Sequence, residues 1–281
     1  MTERLADIGA RITGIRQLGA VVNAMRGIAA ARVQQARSQL LAVDSYAAAI
    51  AAAIARTLVL IPPAHNGVER QLARPALVLF CAEQGFAGAF SKRVLDAAGP
   101  DLATSELFLI GARGQAAIAE RGIAAGWSCA MPSHSPGIPK VADRVVQALY
   151  PRIATGEIDR LDALFSRWQP GQGTHVERQH LFPFDTTAFP PARDTNAPLL
   201  NLTPISLLGT LTADYMHAQL CKAALHAFAA ENEARMETMA AARSQIERQL
   251  ASLQSTQRLV RQEEITDEII ELAAGETASR C

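Results

Sequence analysis

Residues 8–33 read Ile8-Gly-Ala-Arg-Ile12-Thr-Gly-Ile15-Arg-Gln-Leu-Gly19-Ala-Val-Val22-Asn-Ala-Met25-Arg-Gly-Ile-Ala29-Ala-Ala-Arg-Val33, and their apolar positions decide the fold. From Ile8 through Ile12, Ile15, Val22, Met25, Ala29 and Val33 the steps are threes and fours, with Gly19 filling the one gap. The same rhythm continues through Ala36, Leu40, Val43, Ala47, Ile50 and Ile54. A spacing of about 3.5 residues is a coiled-coil seam, because it returns an apolar side chain to one stripe of an α-helix at each turn. No proline precedes Pro62-Pro63, which cannot continue the backbone hydrogen-bond ladder. One helix over 1–61 is predicted, roughly 75–80 Å long at about 1.5 Å per residue.

The far end of the chain mirrors this. No proline follows Pro204, and Leu208, Leu211, Tyr215, Ala218, Leu225, Met236, Met239, Ile246, Leu250, Leu253 and Val260 keep the spacing, interrupted by Asn232 and Arg243. Thr203-Pro204 reads as an N-cap followed by proline at the first helical position, and Gly275 as the stop. A helix over 204–275 would span about 100 Å, whereas a compact globule of this chain length is about 50 Å across. Both helices are therefore expected to protrude, wound around each other and antiparallel.

The intervening 68–200 reads as a folded insert. Ala76–Ala82 is a continuous apolar strand, followed by Glu83-Gln-Gly85-Phe-Ala-Gly88 and a helix from Ser91. Leu107–Ile110 is a second strand, ended by Gly111 and followed by a helix to Glu120; Val141–Ile153 is helical. Leu161–Trp168 and Thr174–Phe184 are strands joined by the turn Gln169-Pro-Gly-Gln-Gly173, and 185–198 is a connecting loop. The fold class is thus α/β: a long antiparallel coiled coil of the terminal helices, with an inserted small Rossmann-like α/β domain.

Composition agrees. Hydrophobic residues are 49% but aromatics only 5%, because alanine supplies much of the apolar fraction, and alanine favours helices. The net charge of zero gives no drive towards nucleic acid or anionic membranes. Lys92, Lys140 and Lys222 are the only lysines, so positive charge is carried almost entirely by arginine. Cys81, Cys129, Cys221 and Cys281 are far apart, a spacing that is neither a disulfide framework nor a zinc site and that fits a reducing compartment. The N-terminus lacks a signal-peptide core, and no uninterrupted apolar run reaches the 18 or more residues of a membrane span.

No catalytic constellation presents itself. Glu83-Gln-Gly85-Phe-Ala-Gly88 and Gly111-Ala-Arg-Gly114 could bring backbone to a phosphate, but a tight strand-to-helix turn needs glycine anyway. No lysine follows a glycine, which excludes a P-loop. His175 and His180 differ by an odd number along a strand and cannot share a metal. No catalytic, cofactor or metal residues are assigned.

Several stretches carry a resemblance. Ile8-Gly-Ala-Arg11-Ile12-Thr-Gly-Ile15 with Ala24-Met25-Arg26-Gly-Ile28-Ala29-Ala30-Ala31-Arg32 resembles the opening of F-type ATP synthase gamma subunits. Arg235-Met236 with Met239, and Arg261-Gln262-Glu-Glu-Ile265-Thr266-Asp-Glu268 running on to Gly275, resembles the closing signature. The turns at 83–88 and 110–114 resemble the family's middle turns. The chain departs from the family at Arg26 and Arg32, where lysines are usual, at Glu83 and Ala87, where aspartate and cysteine are usual, and at Arg258, where asparagine is usual.

The resemblance implies a non-catalytic central-stalk rotor of a bacterial enzyme, peripheral on the cytoplasmic face of the inner membrane. It implies the α and β subunits of the catalytic ring, the ε subunit and the membrane c-ring as partners, with no direct membrane insertion. It also implies that Met25 and Arg26, and more weakly Arg32, meet the β subunits, and that Arg258, Arg261, Gln262 and Thr266 grip the ring from opposite, on the C-terminal helix. Met25 fits the seam equally well as a packing residue. Two other readings share the two helices: a coiled-coil tether, and an α/β enzyme with a helical dimerisation arm, which needs a polar pocket in 75–200.

Overall fold

Alternation along one strand explains the layering of the middle of the chain. In β1 (Arg74–Phe80), Leu77 and Leu79 point to one side of the sheet, and Ala76, Val78 and Phe80 to the other; all five are buried. A strand buried on both faces needs helices on both, which is the parallel α/β solution. The computed structural model describes residues 2–61, 74–185, 189 and 199–279.

The elements run α1 (Thr2–Leu58), β1, α2 (Phe90–Ala98), α3 (Asp101–Thr104), β2 (Glu106–Ile110), α4 (Ala112–Glu120), β3 (Trp127–Cys129), α5 (Ile138–Ala154), β4 (Ile158–Gln169), β5 (Gly173–Phe182) and α6 (Pro204–Ser279). The five strands lie in the order β3-β2-β1-β4-β5, parallel except for the antiparallel β4–β5 hairpin. Gly171 and Gly173 take φ of 78° and 73° in the hairpin turn, a left-handed backbone that side chains resist. Strand β3 and helix α3 were not foreseen, since three or four residues carry no readable period.

Two compact units result: Met1–Ile28 with Met236–Cys281, and Ala29–Arg235. In the larger unit, α2 and α4 cover one sheet face through Val94, Leu95, Ala98 and Ile118. Helices α5 and α6 cover the other through Val145, Leu149, Leu220, Leu225 and Phe228, with Ala36 of α1 joining the same core. Arg37 pairs with Glu233 at 2.6 Å and Lys222 with Asp44 at 2.7 Å, so within this unit α1 and α6 run antiparallel. In the smaller unit Ile8 and Ile12 pack with Val260, and Val22 with Met239 and Ile246, again antiparallel.

Thr203 Oγ1 accepts from the Ser206 amide at 3.3 Å, the expected cap of α6. Gly275 does not stop that helix, which continues to Ser279. Glycine ends a helix only when the chain turns left-handed there; inside one it costs about 1 kcal/mol. Pro62-Pro63 and most of 185–198 lie outside the described residues.

One stretch of α1 is long and apolar enough by composition to cross a membrane, although no unbroken apolar run was read in it. Alanine raises the average there. Ala47, Ile50, Ile54 and Ala55 of this helix are buried within the larger unit.

Candidate functional site

Strands β2 and β4 flank β1 on opposite sides, so the connections diverge at β1. The crevice beyond the carboxyl ends of such strands is where open α/β sheets hold ligands. Glu83-Gln-Gly85-Phe-Ala-Gly88 occupies this place, with Phe86 at φ 62° and Gly88 at φ 58°. The turn's first amides do not face an open crevice. Glu231 of α6 accepts from Glu83 N–H at 3.3 Å through Oε2 and from Gln84 N–H at 3.2 Å through Oε1. A protein carboxylate thus takes amides that a phosphate would need.

The carboxylate belongs to a buried network. Arg235 donates to Glu231 Oε1 at 2.5 Å, to Asn232 Oδ1 at 2.8 Å and to the Gly85 carbonyl at 3.2 Å. Asn232 Nδ2 donates in turn to the Phe228 carbonyl at 2.8 Å. Both side chains of the Glu231–Arg235 pair are only 5% exposed. Burying an ion pair costs several kcal/mol of hydration, tolerable only when further hydrogen bonds satisfy both groups, as here. Ala82, Ala87, Phe90, Ala230 and Ala234, with half-buried Trp168, form an apolar cluster joining turn and helix.

Glu83 braces the turn from the other side. Its Oε2 accepts from Ala112 N–H at 3.0 Å and Met131 N–H at 2.9 Å. The first of these places a carboxylate at the amino end of α4, where the helix dipole favours negative charge. Arg32 reaches the same turn from α1, its Nη1 donating to Gln84 Oε1 at 3.2 Å.

The second glycine motif is explained by packing. A Cβ on Gly111 would lie 2.4 Å from the Cys81 carbonyl oxygen, and one on Gly114 2.4 Å from Cys81 Cβ. These glycines let α4 approach the chain just beyond β1. The cleft beside the turn, about 370 Å³, is lined by Gln84, Phe86, Ser91, Lys92 and Arg113 among others, and both of its cations are exposed. Burial pushes the Cys81 and Cys221 thiols up to about 12 and the Cys129 thiol up to about 11, which keeps them protonated. His180 Nδ1 lies 2.7 Å from Asp162 Oδ1, whereas His175 stands opposite Arg167. Among the described residues no group of three or more His, Cys, Asp or Glu could hold a metal.

The remaining predicted contact residues lie in the smaller unit. Met25 is half-buried against the cluster of Val22, Met239 and Ile246, so it occupies the seam, while Arg26 is exposed. Arg258, Arg261, Gln262 and Thr266 are exposed; Arg258 Nε donates to the Gln254 carbonyl at 3.3 Å and Thr266 Oγ1 to that of Gln262 at 2.8 Å. These four are not opposite Met25. Val260 packs on Ile8 and Ile12, whereas Met25 packs near Met239 and Ile246, roughly 25 Å away along the helix. Leu18, Val21 and Ile28 on α1, and Leu259, Ile265 and Ile269 on α6, are each at least half exposed.

The family model described as ATP synthase matches residues 4–278. The chain belongs to the ATP synthase gamma family. The ATP synthase gamma chain of Moorella thermoacetica is 24% identical over 98% of both chains, and that of Frankia casuarinae 27% identical over 99% of this chain and 98% of its own. Among solved structures, a chain of the Euglena gracilis mitochondrial ATP synthase OSCP/F1/c-ring assembly is similar with a TM-score of 0.62 at 12% identity. That match covers 99% of this chain and 95% of the other. A chain of the same organism's rotor gives 0.60 at 11%, covering 94% and 100%. In this gamma-family chain the sequence reading did not single out Glu231, and took Asn232 only as an interruption of the seam, although both belong to the buried network. Their signal was a polar pair with Arg235 inside a helix stretch otherwise rich in alanine.

Proposed function

We infer that this gamma-family chain is the non-catalytic rotor of the central stalk in a bacterial F-type ATP synthase, coupling ion flow through a membrane c-ring to rotation inside the α/β catalytic ring. The match along 4–278 carries this reading, since it takes in both terminal helices and the sheet between them. Exposed apolar side chains on both helices of the smaller unit suit a surrounding sleeve, because a monomer in water gains nothing from displaying them. Rotation then brings one asymmetric surface past each catalytic site in turn, shifting its equilibrium through unequal contacts.

The chain is part of the peripheral F1 portion of a membrane-associated complex, here placed on the cytoplasmic face of the bacterial inner membrane. Its partners are the α and β subunits, the c-ring and the ε subunit. Exposed Arg26, Arg258, Arg261, Gln262 and Thr266 supply polar contacts to the ring, with Met25 and Arg32 contributing beside their internal contacts. Two experiments test this. A tagged chain expressed with its own α and β subunits is expected to co-purify with a nucleotide-hydrolysing hexamer, and purification of the chain alone would sink the reading. Met25→Lys in reconstituted vesicles is expected to lower ions pumped per ATP; unchanged pumping would count against Met25 as a coupling contact.

A further inference from the structure

We propose that the grip of Glu231 and Arg235 on the turn 83–85 is the joint that carries torsion between the sheet and helix α6, an inference that rests on the rotor function above. Elsewhere α6 lies against this unit mainly through apolar side chains: Met216, Ala218, Leu220, Ala223, Ala224, Leu225, Ala227 and Phe228 are all buried. Contacts between apolar groups are non-directional. They hold the helix against its neighbours but fix its rotation and register less sharply than hydrogen bonds do. Torsion needs directional bonds.

Other polar links between α6 and the layer are more open to water. Tyr150 Oη donates to the Gly209 carbonyl at 3.4 Å in an exposed setting, His217 Nε2 lies 3.2 Å from the Pro139 carbonyl and 3.1 Å from Asp143, and Gln179 donates to Gln219 at 2.8 Å. The Glu231–Arg235 grip differs in burial and in polarity. Glu231 accepts from two backbone amides while Arg235, one helical turn on, donates to a carbonyl of the same turn. Displacing the helix lengthens bonds of both kinds, and side chains only 5% exposed have little access to water that could replace them. The turn cannot follow freely, because Glu83 ties it to α4 and to Met131. Arg235 is also the last residue of its compact unit. A buried ion pair contributes little net stability, so a device that holds register is the use that fits its cost.

The test is single-molecule rotation of the whole complex, fixed through its catalytic ring, with a bead attached at Glu120→Cys on exposed α4 and Cys281→Ser to remove a competing thiol. Angular fluctuation in the pauses reads torsional stiffness. Glu231→Gln and Arg235→Ala are expected to lower stiffness roughly twofold or more, with Arg235→Lys, which keeps the charge but loses the fork, in between. Arg37→Ala, which breaks an α1–α6 pair instead, is expected to leave it unchanged. Equal stiffness in Glu231→Gln and Arg235→Ala, or equal softening in Arg37→Ala, overturns the joint. Should Arg235→Ala fail to assemble, Arg235→Lys and Glu231→Gln decide the question alone. A static bead on the unsubstituted complex would instead refute the rotor function, and the joint with it.

Discussion

Gly114→Ala sets two effects against each other, and their sizes decide the sign. Alanine in place of an interior helix glycine gains about 1 kcal/mol, so α4 alone would be strengthened. The new Cβ would lie 2.4 Å from Cys81 Cβ and 2.7 Å from its Sγ, with Leu109 Cδ2 at 3.2 Å. Carbon contacts are comfortable only near 3.5–4.0 Å, so α4 and Cys81 must part by about 1 Å. Overpacking of this kind costs roughly 1–3 kcal/mol, and a clash against the Cβ of a buried residue directly following a central strand, its amide bonded to the Ile110 carbonyl, belongs at or above the upper end. The net is a loss of about 2 kcal/mol. Both tryptophans, Trp127 and Trp168, lie in the larger unit, so their fluorescence during urea unfolding of the full chain follows that unit. With a slope of about 2 kcal/mol per molar, the midpoint should fall by about 1 M. Cys81→Ala combined with Gly114→Ala recovers only part, because the Cβ contact survives removal of sulfur. A midpoint raised by Gly114→Ala would refute this account of why α4 begins with glycines.

Three further outcomes follow from the same geometry. Glu83→Ala strands the Met131 amide, at about 1–3 kcal/mol, and leaves that of Ala112 to water, so hydrogen exchange at Met131 in the assembled complex should accelerate at least about tenfold; unchanged protection would remove Glu83 as a brace. Burial, with Arg167 and Lys222 nearby, lowers the His226 pKa from 6.5 to about 4. The unfolded chain therefore takes up this proton first, so stability holds above pH 6.5 and declines towards pH 4. After allowance for solvent at the ring the loss is about 1–2 kcal/mol, and His226→Phe should reduce this acid sensitivity of the urea midpoint; an unaltered pH profile would contradict it. Buried and protonated, Cys81, Cys129 and Cys221 should resist iodoacetamide at pH 8 in the folded chain, and rapid alkylation of any of them would show that its site opens.

The sequence by itself determined whatever depends on neighbours along the chain. Ile8, Ile12, Val22 and Ile246 keep the helical period of a seam, Thr203 and Pro204 begin a helix through local capping, and the short continuous apolar run Ala76–Ala82 reads as a strand. The long closing run and its likeness to gamma subunits were also legible, because they concern order along the chain.

Only tertiary structure decided what faces what. The stretch 216–235 was read as one stripe of a seam, yet it is buried nearly all round, because α6 is packed by the sheet and by α1 at once. Asn232 appeared as an interruption, and Glu231 was not singled out at all; the amides that Glu231 accepts from lie about 150 residues away, just beyond β1 and out of reach of any local pattern, and Asn232 joins the same network through Arg235. The glycines at 85, 88, 111 and 114 read as tight-turn residues in preference to a phosphate cradle, but only the fold shows Cys81 packed against 111 and 114 and Glu231 on the amide of Gln84. Periodicity reports how much surface an element must bury, but a buried charge is explained only by the group that folding brings to it.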